Sequence, residues 1–197
     1  MITNTILHIT KSIISNIKRY PMEQYPVLVA IDGRCASGKT TLATYLQSEL
    51  GCSVIHMDDF FLRPEQRTVE RYNQPGGNID YERILKEVLV PISRKEDVSY
   101  APYDCQTQTL KDTIQINVGD IVIIEGSYSC HPLLKPYYTL TVFMDVDPKE
   151  QQKRIQKRNG DQKLEMFQNK WIPLEEKYFA EFNVEEQCDW RYEIEKL

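Results

Sequence analysis

A chain of 197 residues, 41% hydrophobic and 27% charged, is long enough for one well-cored domain and short for two, so a single domain over 1–197 is expected. The net charge of −5 excludes a broad nucleic-acid-binding surface and points to small anionic ligands held at a local positive site. Five cysteines, Cys35, Cys52, Cys105, Cys130 and Cys188, have no CxxC pair and no metal-like spacing to the three histidines, which excludes a disulfide framework and a structural zinc site.

In chain order, residues about 3–19 carry Ile6, Leu7, Ile13, Ile14 and Ile17 among polar positions. That is the spacing of an amphipathic helix ending before Pro21 and packing outside a sheet. Neither this segment nor any other offers the ~20 apolar residues of a membrane span, so a cytoplasmic protein without a membrane partner is expected. Val27–Ile31 reads as a buried strand that runs into Gly33-Arg34-Cys35-Ala36-Ser37-Gly38-Lys39-Thr40. This matches the phosphate-loop pattern GxxxxGK[S/T] at every fixed position. Glycines let successive backbone N–H groups point inward, the following helix adds its positive end, and a lysine reaches the outer phosphates. Gly33 to Thr40, with Thr41 after them, are therefore the expected nucleotide-binding residues, and Thr40 is the expected magnesium ligand. Leu42, Leu46 and Leu50 share one face of the helix that follows.

Further along, 53–57, 121–124 and 140–144 are apolar runs suited to parallel core strands, giving four with the first. A helix is expected over about 79–90, closed by Pro91, and 97–103 with 108–117 suit a substrate-side β-hairpin over about 97–117. After Asp147-Pro148 comes a charged helix through Arg158, a break at Asn159-Gly160, and a helix from near Lys163 that restarts at Pro173. Strands alternating with helices specify a three-layer α/β fold around a mainly parallel sheet.

In such sheets ligands sit at the carboxyl ends of strands, and here those ends are acidic: Asp58 and Asp59, then Glu125, then Asp145 and Asp147. Phosphoryl transfer needs a magnesium-neutralised phosphate chain, cations over the transferred group and a carboxylate for the accepting hydroxyl. Asp58 is the candidate for that carboxylate and Glu125 for the second magnesium ligand. Asp59, Asp145 and Asp147 read instead as helix caps or arginine partners. Lys153, Arg154, Lys157 and Arg158 form a basic run before Asn159-Gly160. Two roles stay open for it: a solvated helix face, or an arginine-rich lid over about 153–165 that lowers Arg154 and Arg158 onto the phosphoryl group.

These residues resemble the uridine kinase family over about 26–189. Met57-Asp58-Asp59-Phe60-Phe61 is similar to that family's QDDFF segment, Ala101-Pro102-Tyr103-Asp104 to its PxYD hairpin segment, and Glu125-Gly126 to its EG strand end. The resemblance implies a P-loop NTPase fold and an ATP- and magnesium-dependent kinase. Asp58 would be its base, with Lys39, Arg154 and Arg158 beside it, and its substrate contacts would be Asp58, Phe60, Tyr72, Asn73, Tyr103 and Gln108. The implied acceptor is a primary hydroxyl of a small molecule, first of all a nucleoside 5′-hydroxyl. Gln108, Leu110 and Asn73 stand where the family pattern has histidine, arginine and aspartate, which leaves nicotinamide riboside, pantothenate or a sugar phosphate as alternatives. A GTPase is disfavoured because Asn169-Lys170-Trp171-Ile172 fails the NKxD pattern, and a non-catalytic nucleotide-binding module is disfavoured by the joint presence of Lys39, Thr40, Asp58 and Glu125. The aromatic stretch Trp171 to Phe182 reads as core packing, with a pocket cover or a homo-oligomer contact as its other two roles.

Overall fold

The computed structural model describes residues 4–21 and 26–194. Its centre is a five-stranded sheet in the order β2 (Ser53–His56), β7 (Ile121–Glu125), β1 (Val27–Gly33), β8 (Leu140–Val146), β9 (Trp190–Ile194), with every pairing parallel. Alternate residues of the middle strands feed two cores. Val27, Val29, Ile31, Ile123, Val142 and Met144 face the helices α1 (Asn4–Ile17) and α2 (Lys39–Leu50). Leu28, Ala30, Val122, Ile124 and Phe143 face the helical and hairpin segments on the other side. Strands buried on both faces are near-continuous apolar runs, which is why they stand out in the sequence.

The first expected element is α1, with Ile6, Ile9, Ile13 and Ile17 buried along one stripe; residue 3 of that expectation lies outside the described residues. The hairpin forms as two short antiparallel ladders, β3 (Val98–Tyr100) with β6 (Ile114–Ile116) and β4 (Tyr103–Asp104) with β5 (Thr109–Leu110).

Three expectations need correction. The sheet has a fifth strand: β9 lies at the edge with most of its residues exposed or half-exposed, so it lacks the apolar run that marks a core strand. The helix expected to stop at Pro91 instead runs through Tyr81–Ile84, a π-turn at Leu85–Leu89 and Val90–Ser93. The helix expected to restart at Pro173 is likewise continuous, from Asp161–Met166 through a π-turn at Phe167–Trp171 into Ile172–Phe182. In both, the N–H just before the proline bonds five residues back, Val90 to Leu85 and Ile172 to Phe167. A wide turn thus precedes each site where proline has no N–H to give, and the helix passes through. Among the described residues no helix is long and apolar enough to cross a membrane.

Candidate active site

The carboxyl ends of β1, β2 and β7 open into one cleft of about 730 Å³. Its donor wall is the loop between β1 and α2. Gly33 has φ 131°, and a Cβ there would lie 2.0 Å from the Met144 carbonyl oxygen, so the loop must leave the sheet on a glycine. Gly38, at φ 94°, turns the chain into α2, and Ala36 shares the left-handed region at φ 61°. Alternating hands of this kind point successive amides to one side. Lys39, nearly buried, donates its ammonium protons to the Gly33 and Arg34 carbonyls at 2.6 and 2.8 Å. Cys35, Ala36, Gly38, Lys39, Thr40 and Thr41 line the cleft. The Arg34 guanidinium instead turns to Asp145 (2.9 Å) and Glu176 and lies over Phe179.

Opposite the loop, the Thr40 hydroxyl donates to Glu125 Oε1 at 3.1 Å, and His56 Nδ1 lies 2.6 Å from the same oxygen. The hydrogen bond to Glu125 raises the His56 pKa above its ordinary value. A hydroxyl and a carboxylate oxygen that converge are a donor set for a hard cation such as magnesium, which takes one or two carboxylates and completes its shell with phosphate and water. Among the described residues no three His, Cys, Asp or Glu side chains are placed to hold a metal ion by themselves, so a cation here would depend on the nucleotide's own oxygens.

Asp58 follows β2 in a 3₁₀ turn, Met57–Phe60. Its side chain is exposed and lines the cleft. Desolvation and, after it, nearby Glu125 lift its carboxyl above the usual range, against the pull of Lys39 and His56. The remaining strand-end acids are structural. Asp59 accepts from the Tyr100 hydroxyl (2.8 Å), Asp145 pairs with Arg34 and Arg191, and Asp147 caps the Pro148–Asn159 helix by accepting from the Lys149 and Glu150 amides.

The acceptor wall departs most from expectation. Phe60 is fully buried, its ring 4.7 Å from Tyr100; the tight turn sends it inward and brings Phe61 to the cleft instead. Asn73 is exposed and away from the cleft, its carbonyl accepting from Lys177 at 2.7 Å. The chain doubles back through Pro75-Gly76-Gly77, so the asparagine that reaches the cleft is Asn78, bonded to Tyr128. Tyr103 is buried behind Arg67, which donates to its hydroxyl. Tyr72 and Gln108 do line the cleft, as do Arg154 and Arg158. Arg154 pairs with Glu150 at 3.0 Å, and Arg158 donates to Asn159.

Sequence reasoning missed Arg67, Lys170 and Glu175, and it gave Trp171 a pocket-covering role only as an alternative to core packing. Arg67, Lys170 and Trp171 line the cleft. Glu175, buried beneath the loop, accepts from the Cys35 amide at 3.0 Å and from the Ser127 hydroxyl. Burial, its largest influence, raises the Glu175 pKa, and Lys39 opposes that. Asp32 also escaped notice. Inside β1 it accepts from the Gly33, Tyr128 and Cys130 amides and the Tyr178 hydroxyl, fixing the turn that follows Glu125. Asp32 was signalled only by a carboxylate within an apolar run, and Glu175, beside Glu176 and Lys177, carried no signal in the sequence.

No family model matches the chain. In sequence it is 26% identical over 137 residues to uridine kinase from Ureaplasma parvum, covering 64% of this chain and 65% of that protein. Against uridine kinase from Brevibacillus brevis the identity is 28% over 132 residues, 62% of this chain and 61% of that one. The chain thus matches just under two thirds of the length of these relatives. In structure it is similar to a possible uridine kinase from Bacillus stearothermophilus, with TM-score 0.69, 21% identity and coverage of 96% and 97%. It is also similar to D-glycerate 3-kinase from Cryptococcus neoformans, with TM-score 0.66, 16% identity and coverage of 97% and 95%.

Proposed function

The chain is uridine kinase-like in sequence and has a P-loop kinase fold, and from that premise we propose that it transfers the γ-phosphoryl group of ATP to the primary hydroxyl of a small molecule. What carries the reading is convergence. A phosphate loop, a hydroxyl–carboxylate pair for a cation, a carboxylate open to the same space and two arginines all line one cleft. Lys39, released from the Gly33 and Arg34 carbonyls, would hold the outer phosphates beside the loop amides. Thr40 and Glu125 would hold magnesium, which supplies charge neutralisation of the phosphate chain. Asp58 takes the hydroxyl proton as the acceptor oxygen bonds to the γ-phosphorus and the bridging bond to the β-phosphate breaks, releasing ADP. Its raised pKa suits a base, which works best with a pKa drawn toward the operating pH. Arg154 and Arg158 would cover the charge on the moving group, and closing the 153–165 segment would keep water out.

The similarity to uridine kinases makes a nucleoside 5′-hydroxyl the first acceptor to examine. Gln108 on the acceptor wall keeps a second reading open, another small hydroxyl compound, because the base-reading histidine of the family pattern is absent. ADP release measured with uridine, cytidine, nicotinamide riboside, pantothenate and ribulose 5-phosphate side by side tests the proposal. At least one acceptor is expected to raise release above the acceptor-free rate; no increase with any of them would count against a kinase.

A further inference from the structure

Charge on the acceptor wall is not balanced in the way it is elsewhere in this protein. The chain holds 29 acidic against 24 basic residues, and the other half-buried arginines each face a carboxylate. Arg34 pairs with Asp145, Arg63 with Glu65, Arg71 with Glu82, Arg83 with Glu87 and Arg154 with Glu150. Arg67 is the half-buried arginine that does not. Its Nε donates to the Leu62 carbonyl at 3.0 Å, Nη2 to the Tyr103 hydroxyl, and Nη1 reaches Gln108 Oε1 at 3.4 Å. All three partners are neutral, and among the described residues no ion pair includes Arg67. Withdrawing a guanidinium from water without a counter-charge is unfavourable, and neutral acceptors recover only part of the loss.

Arg67 also stands where an acceptor must lie. It lines the cleft with Asp58, and both charges act on the Cys105 thiol, as does the neighbouring Asp104, which forms no ion pair with Arg67. A second cation borders the same wall: the Lys170 ammonium lies 5.0 Å from the centre of the Tyr72 ring and 4.6 Å from that of Trp171, without a carboxylate partner among the described residues. Of the three aspartates on this wall, Asp58 lines the cleft, while Asp59 is turned to Tyr100 and Asp104 accepts from the Gln106 amide and faces Lys111 at 3.5 Å. Three neutral groups hold the guanidinium, one at each nitrogen, and the residue lines the cleft.

We propose that the hydroxyl acceptor carries an anionic group, a carboxylate or a phosphate, and that Arg67 binds it, oriented by Tyr103 and Gln108. The inference rests on reading the cleft as a kinase site and narrows the class of acceptor. It is compatible with a nucleoside only where the nucleoside bears such a group. A planar fork of donors suits either anion, and charge-assisted bonds of this kind are the strong ones.

Calorimetric titration of matched pairs into the protein with magnesium and a non-hydrolysable ATP analogue tests the charge alone: uridine with orotidine, glycerol with D-glycerate, D-fructose with D-fructose 6-phosphate. In at least one pair the anionic member is expected to bind about 10- to 100-fold tighter. Arg67→Gln should erase that difference and Arg67→Lys restore part of it. The wild-type comparison decides the matter even if a variant fails to fold. Equal affinities within every pair, including no binding by any member, overturn the proposal. An anionic member that binds but releases no ADP would instead leave the anion site standing and remove the kinase reading.

Discussion

The donor wall of the cleft is one continuous stretch, 33–41, whose shape is set by its own glycines and by the start of α2. The acceptor wall is assembled from segments around residues 58–78, 103–108 and 167–171, brought together by turns, a hairpin and a helix that passes through a proline. Local construction makes the first wall readable residue by residue. In the second, a one-residue change of phase decides which side chain faces the ligand. Phe60 and Phe61 are neighbours, yet one is in the core and the other in the cleft.

That pair offers the sharpest break in the comparison. Phe60→Ala should destabilise the fold by about 3–5 kcal/mol, as removal of a fully buried aromatic side chain does. Phe61→Ala, at a half-buried ring that only borders the core, should lower the melting temperature less than Phe60→Ala and raise the KM for the acceptor. The two are separated by a denaturation curve for each variant, and equal destabilisation would return Phe60 and Phe61 to the same role.

A smaller effect concerns how independent the donor wall is. Glu175 ties the Cys35 amide and Ser127 to the helix beyond the 153–165 segment. Glu175→Ala strands the buried Cys35 amide, at a cost of about 1–3 kcal/mol, and leaves the half-buried Ser127 hydroxyl only the Gly33 carbonyl at 3.4 Å; it should weaken ATP binding as measured by titration with a fluorescent analogue. Unchanged ATP affinity in a folded variant would show that the loop holds its form from its own sequence alone.

The phosphate loop, the core strands, the hairpin and the Thr40–Glu125 pair could be read from the chain because each follows from short-range pattern: strict spacing, apolar runs, turn residues. What could not be read depended on tertiary context. Pro91 looked like a helix end and Pro173 like a fresh helix start, since nothing in the sequence announces a π-turn. Trp190 to Ile194 looked unlike a core strand because an edge strand keeps polar residues on its open side. Asn78 reached the cleft in place of Asn73 because of a reversal at Pro75-Gly76-Gly77, and Arg67 and Glu175 showed their meaning only through what lies, or does not lie, against them.

Following the label from γ-³²P-ATP, with an acceptor that supports ADP release, in wild type and Asp58→Asn bears most directly on the central claim. Label is expected in an acceptor phosphate, formed roughly 10²- to 10⁴-fold more slowly by the variant with ATP affinity nearly unchanged. The wild-type rate is expected to fall as the pH is lowered and Asp58 gains its proton, above the ordinary carboxylate range. Label found only as inorganic phosphate, or transferred equally by both proteins, would contradict it.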